Sequence, residues 1–214
     1  VAARVIAGDS LDQALGCYTV RPKSRHIAVR ESVFPFARFP GADIILGPEM
    51  KSTGEVMGLD ESFPRAFAKS QLASGTIIPE SGTVFISVKN DDKAAMVALG
   101  LQLVKLGFEL IATRGTAEEL TRAGVVTNVV KKVREGRPHI VDVMISGGVD
   151  LVFNTTEGSA AIADSFTLRQ TALYHRIPYY TTVAGCRAMV SAISALNTGS
   201  LDVASLQSYF KFSY

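Results

Sequence analysis

Residues 110–120 read LIATRGTAEEL. An apolar run, Leu110 to Ala112, stops at Thr113-Arg114-Gly115-Thr116 and restarts at once in residues that favour a helix. A strand that ends in hydroxyls and a glycine and feeds directly into a helix leaves amide donors and the positive end of the helix dipole facing outward. Two readings follow. The turn seats an anion, phosphate being the natural one, or Thr113 or Thr116 merely caps the helix behind it. The rest of the chain has to choose between them.

The same pattern repeats from Gly82 onward. TVFISV precedes DDKAAMVALGLQLVKLG, FELIAT precedes TAEELTRAG, VVTNVV follows, DLVFNTT precedes SAAIADSFTLRQTALYHR, and YYTTVA precedes CRAMVSAISAL. Short apolar runs alternating with helical stretches predict an α/β fold with about five parallel strands and helices on both faces. In such sheets ligands gather beyond the carboxyl ends of the strands, where successive connections diverge to opposite faces.

Four of those ends share one chemistry. FISV is followed by Lys89, Asn90, Asp91, Asp92 and Lys93, and ELIA by Thr113 to Thr116. LVF is followed by Asn154, Thr155, Thr156, Glu157 and Gly158, and PYY by Thr181 and Thr182. Short hydroxyl donors beside open glycine backbone hold a phosphate without a cluster of fixed charges, and Lys93 is placed to add a point charge. Any one site reads equally well as a turn or cap; four converging ones favour a ligand. A polar interruption, KKVREGRPHI, bends at Gly136 and Pro138, and folding it over the sheet edge brings Lys132 beside the threonines. His139 in that loop is a candidate acid or base, or a partner of the local backbone. No nucleophile motif and no dinucleotide fingerprint is readable, so the pattern is one of binding rather than of catalysis, with no catalytic residue assigned.

The first 76 residues have another texture. HIAVRESVFPF predicts a strand ended by Pro35, and FPGADIILGPEMKSTGEVMG carries too many glycines and prolines for long elements. DESFPRAFAKSQLAS predicts a helix with Pro64 in its first turn and Phe63, Phe67 and Leu72 toward a core. Such a segment buries little of its own apolar surface and is expected to pack on a larger body. The chain starts at Val1 in what reads as a helix end, which we take as a piece of something longer.

Composition excludes several classes. With 22 Lys and Arg against 20 Asp and Glu, the formal net charge of +2 lacks the basic footprint of a nucleic-acid binder. Cys17 and Cys186 are far apart and His26, His139 and His175 are scattered, so neither a metal site nor a disulfide framework is indicated. No apolar stretch spans a bilayer and no signal peptide is readable, so a cytoplasmic location is expected.

FPFARFPGADIILGPEMKSTGEVMG closely resembles the end of the second ATP-grasp unit of the carbamoyl-phosphate synthase large-subunit family. ATRGTAEEL, KKVREGRPHI, NTTEGSAAIADS and YYTTVAG resemble the family's carboxyl-terminal regulatory domain, in the same order. The resemblance implies an α+β ATP-grasp remnant over 1–76 and a methylglyoxal-synthase-like, Rossmann-like regulatory domain over 77–214. It implies a parent ligase that makes carbamoyl phosphate from bicarbonate, glutamine-derived ammonia and ATP, using Mg or Mn and K, for arginine and pyrimidine synthesis. No cofactor is implied for this segment itself, and Glu49 and Glu55 are expected to support the fold rather than ligate metal. The implied partners are a UMP or IMP effector, the glutaminase small subunit and the ATP-grasp domains, with self-association as a further expectation.

Carried onto matching positions, the effector contacts fall on Lys93, Thr113, Gly115, Thr116, Lys132, Asn154, Thr155 and Thr156; Arg114 and Thr181 complete the candidate set. Two departures stand out. Arg114 replaces a frequent His, adding a guanidinium beside the turn. Tyr180 stands where ornithine-sensing members commonly have an acid, so an amino-acid activator site does not carry over. Two other readings are a methylglyoxal synthase, for which GRPHIVDVMISGG lacks the aspartate-rich catalytic loop, and an interaction module. The second draws on the aromatic tail LQSYFKFSY (Tyr209, Phe210, Phe212, Tyr214) and the apolar helix Met189 to Leu196.

Overall fold

The computed structural model describes residues 1–16, 26–36 and 50–210. Cys17, Glu49, Phe212 and Tyr214 lie outside the described residues. Two short helices, α1 (Ala2–Ile6) and α2 (Leu11–Leu15), open the chain, the second started by a capping box between Ser10 and Gln13.

Strands β1 (Ile27–Val33) and β2 (Gly54–Asp60) form an antiparallel pair, from Ile27 opposite Asp60 to Val33 opposite Gly54. The glycine-dotted GEVMG is therefore a strand rather than a string of turns. Gly58 explains why: a Cβ built there would stand 2.0 Å from the Ala66 carbonyl oxygen, so only glycine lets helix α3 (Phe63–Ala73) lie this close. The same close fit corrects the expected face of α3. Ala66, Ala68, Ser70 and Gln71 are buried, whereas Phe63 and Leu72 are 43% and 49% exposed and only Phe67 packs against the core. Small side chains set the contact with β2, and Phe63 and Leu72 are rotated outward. Across β1 and β2, Arg30 pairs with Glu55.

The remaining elements form a five-stranded parallel sheet in the order β5-β4-β3-β6-β7. Its strands are β3 (Gly82–Ser87), β4 (Phe108–Ala112), β5 (Asn128–Val129), β6 (Leu151–Asn154) and β7 (Tyr179–Tyr180). Connecting helices are α4 (Lys93–Lys105), α5 (Arg114–Arg122), α6 (Ile140–Ile145), α7 (Gly158–Asp164) and α8 (Phe166–Tyr174), and α9 (Val183–Thr198) follows β7. The α/β fold with helices on both faces is thus as the apolar alternation predicts. Within it, VVTNVV contributes only a two-residue strand, and SAAIADSFTLRQTALYHR breaks at Ser165, whose Oγ donates to the Ala161 carbonyl at 2.9 Å.

Alternation along β3 divides the core. Val84 and Ile86 face α4, α5 and α9 in one cluster, while Phe85 faces Ile140, Met144, Leu168 and Ala172 of α6 and α8 in the other. Connections from β3 to β4 and β5 use the first face and those to β6 and β7 the second, so the chain changes face beside β3. Met189, Val190 and Ile193 of α9 are buried in the first cluster, which removes that helix as an exposed interface. Tyr209 packs back as well: its hydroxyl donates to the Leu59 carbonyl at 3.1 Å and its ring meets His26 edge to face. Cys186 is buried in the same cluster, which pushes its thiol up to about 12 and makes it a packing residue. Among the described residues no helix is long and apolar enough to cross a membrane.

β7 joins the two parts of the chain. The Tyr180 hydroxyl donates to Gln71 Oε1 at 2.7 Å, and Gln71 in turn donates to Glu31 of β1. Ser70 Oγ also donates to Glu31, at 3.2 Å. Burial pushes the Glu31 carboxyl above the usual carboxylate range and, with the Glu31 charge, raises the Tyr180 phenol. Tyr180 therefore stands as a neutral hydrogen-bonding group.

Candidate functional site

A cavity of about 500 Å³ opens at the carboxyl edge of the sheet, beside the point where the connections change face. Its polar wall comes from three strand ends: Ser87 to Asp91 after β3, Thr113 after β4, and Asn154 to Glu157 after β6. Its apolar wall is Phe85, Val133, Ile140, Ala161 and Leu168, a surface suited to a flat or hydrocarbon group. Lys132 and Arg134 overhang it from the loop before α6, which folds over the edge as the Gly136 and Pro138 bend suggests.

The turn that opens the sequence reading is organised in an unexpected way. Thr113 is the N-cap residue of α5 but makes no side-chain cap bond. Its hydroxyl donates to Ser87 Oγ at 3.1 Å, while Thr116 Oγ1 accepts the Val88 amide at 3.4 Å. Both threonines are buried, at 4% and 2% exposure, and their hydroxyls tie the turn between β4 and α5 to the end of β3. The amides of Thr116 and Ala117 already donate to the Thr113 carbonyl, at 2.9 and 2.8 Å. The first-turn donors left without an intrahelical acceptor are those of Arg114 and Gly115. Above Gly115 sits Lys93: a Cβ on that glycine would stand 3.3 Å from the Lys93 Nζ. A small open turn under an ammonium group is a fitting place for a compact anion.

On the other side, Asn154 and Thr155 are buried, and the Asn154 amide donates to the Tyr179 hydroxyl of β7. Thr155 Oγ1 accepts the Lys89 amide at 3.2 Å, joining the ends of β6 and β3. Asn154 is thereby held from behind while it lines the cavity.

Of the candidate residues, Thr113, Lys132, Asn154, Thr155 and Thr156 line this one cavity. Gly115 and Thr116 belong to the turn that starts at Thr113, and Lys93 at the start of α4 lies beside Gly115, none of the three lining the cavity itself. Arg114 and Thr181 stand farther apart. Arg114 is exposed at the first position of α5, and Thr181 is exposed past β7, an outer strand of the sheet, so the site centres on β3, β4 and β6 instead. His139 is explained structurally: it starts α6, its amide donating to Asp142 Oδ2 at 3.0 Å and its Nδ1 accepting the Asp142 amide at 3.4 Å. Ser87 and Arg134 also line the cavity, although no strand-end pattern in the sequence marks them. Ser87 is the last residue of β3, and only the register with Asn154 brings it to the edge. Among the described residues no group of three or more His, Cys, Asp or Glu side chains is placed to hold a metal ion.

A parallel α/β sheet with its changeover cavity at the carboxyl edge defines a class, and residues 95–181 match the MGS-like domain family. Similarity extends well beyond that domain. The chain is 52% identical over 213 residues to the carbamoyl phosphate synthase large chain of Mesorhizobium japonicum, covering 98% of this chain and 18% of that one. The large chain of Myxococcus xanthus is 53% identical over 209 residues, covering 98% of this chain and 19% of that one. That of Rhizobium meliloti is 51% identical over 214 residues, covering 99% and 18%. The chain belongs to the carbamoyl phosphate synthase large-chain family, and it spans about a fifth of the length of these relatives.

Proposed function

We propose that this chain is the regulatory end of a carbamoyl phosphate synthase large chain and that its carboxyl-edge cavity binds a nucleoside monophosphate such as UMP or IMP. The observation that carries the reading is the meeting of Thr113, Lys132, Asn154, Thr155 and Thr156 around one cavity of about 500 Å³. The phosphate rests on the turn from Thr113 to Thr116 under Lys93, with Lys132 closing over it as a charge-assisted donor. The base lies against Ile140, Val133 and Leu168, and the sugar reaches the Asn154 and Thr155 side. Arg114 and Thr181 take no direct part.

In this reading the whole enzyme joins ammonia from its glutaminase partner to bicarbonate, using ATP with Mg or Mn and K in its ATP-grasp domains, in the cytoplasm. The unit from 77 to 214 acts on that machinery through the segment ending near Thr76. Effector binding supports one arrangement of the two units over another, a coupling of about 1–3 kcal/mol in typical allosteric proteins. The hydrogen-bonded run from Tyr180 through Gln71 to Glu31 is the physical contact along which such a bias is felt. Methylglyoxal synthase activity is disfavoured because His139 and Asp142 are spent on capping α6.

The test uses the intact synthase. Substituting Lys132→Ala is expected to shift the UMP concentration that half-changes the rate upward by about tenfold, the value of a lost hydrogen bond to a charged group. An unaltered effector response in that variant sinks the site assignment.

A further inference from the structure

Lys89 and Glu157 stand at the ends of the neighbouring strands β3 and β6, and both line the cavity. Nζ of Lys89 is 3.3 Å from Oε2 of Glu157, with the side chains 33% and 69% exposed, so the pair bridges the mouth rather than the floor. The backbones beneath are joined separately by the Lys89 amide and Thr155 Oγ1. The loops therefore keep their spacing without the ion pair. Glu157 precedes α7 as its N-cap residue but makes no side-chain cap bond, and among the described residues its carboxylate pairs with Lys89. Structural duty does not account for this carboxylate.

Its position is unusual for an anion site. Lys132 and Arg134 bring positive charge from the loop before α6, while Asp91 and Glu157 bring negative charge to the rim made by β3 and β6. Thr113 lines the cavity and is buried, with Thr116 buried behind it. One phosphate on the Thr113 turn is compensated by Lys132 and Lys93. A second phosphate in the same ligand, placed away from Lys132 and Arg134, reaches the rim made by β3 and β6. There it meets two carboxylates and a lysine whose charge is already answered, and like charges at short range oppose binding.

We propose that Glu157, paired with Lys89 across the mouth, restricts the site to ligands carrying a single phosphate group. The inference rests on the nucleotide reading of the cavity and adds to it a residue that selects monophosphates over diphosphates.

Calorimetric titration of the 214-residue chain with UMP and with UDP at low salt tests it, in the wild type, in Glu157→Gln and in Glu80→Gln. Glu80 is exposed at the opposite, amino-terminal end of β3 and controls for the lost charge alone. The ratio of the UDP to the UMP dissociation constant is expected to fall about threefold to fivefold in Glu157→Gln, the range of an exposed charge interaction, and to stay constant in Glu80→Gln. An unchanged ratio in Glu157→Gln, or an equal fall in Glu80→Gln, overturns the inference while leaving UMP binding intact. Failure of the wild type to bind UMP overturns the nucleotide reading itself, and this inference with it.

Discussion

Replacing Phe153 with alanine is expected to lower the unfolding free energy by about 3–5 kcal/mol, the cost of emptying a well-packed aromatic site. Phe153 is fully buried in the middle of the parallel sheet, paired in register with Ile86 on one side and Tyr180 on the other. Its ring meets that of Tyr180 edge to face at 6.2 Å. For a chain of this size such a loss corresponds to a midpoint roughly 10 °C lower in thermal unfolding. The consequence reaches the site, because Phe153 precedes Asn154 and fixes the end of β6 from the core side. Ligand affinity is therefore expected to fall in the residual folded protein too. A thermal shift of only a degree or two would mean that β6 is not the spine of this sheet.

The second large effect lies in the amino-terminal part. Gly58→Val places a branched side chain where even a Cβ comes within 2.0 Å of the Ala66 carbonyl and 2.6 Å of the Ser70 amide. Both are backbone groups of α3 and cannot rotate away. The helix must lift off β2, at a cost of about 3 kcal/mol or more by overpacking. Lifting α3 also disturbs Gln71 between Glu31 and Tyr180, so in the intact synthase the variant is expected to weaken effector coupling as well as stability. Chemical denaturation measures the first, and the UMP dependence of the rate measures the second. A variant as stable as the wild type would contradict the close docking of α3.

Much of the fold is legible in the sequence because parallel strands buried on both faces leave short apolar runs between helices. TVFISV, FELIA and DLVF could hardly be anything else in that setting. GEVMG was obscured for a related reason. Glycine weakens a strand in general, and nothing local reveals that Gly58 is required by a helix that follows it in the chain. The face of α3 differs for the same reason: periodicity favours Phe63 and Leu72, but the contact that forms selects the small Ala66 and Ser70.

The site was half legible. Hydroxyls and glycines just past a strand mark where ligands collect, which found Thr113, Asn154, Thr155 and Thr156. That rule cannot tell a central strand from an outer one, so it marks Thr181 as readily, although β7 lies at the edge. Nor does it say which hydroxyls are committed inside the protein: Thr116 faces the Val88 amide and Thr113 faces Ser87. Strand order supplies what is missing, since it sets Ser87 beside Asn154 and Lys89 beside Glu157.

The central claim is that a nucleoside monophosphate binds at the edge of β3, β4 and β6 with Lys132 over its phosphate. Titrating UMP and IMP into the purified chain by calorimetry, alongside Lys132→Ala, tests it most directly. The account predicts saturable binding of at least one nucleotide at one site per chain, weakened about tenfold or more in the variant. No binding to the folded chain, or equal affinity in the variant, would contradict it.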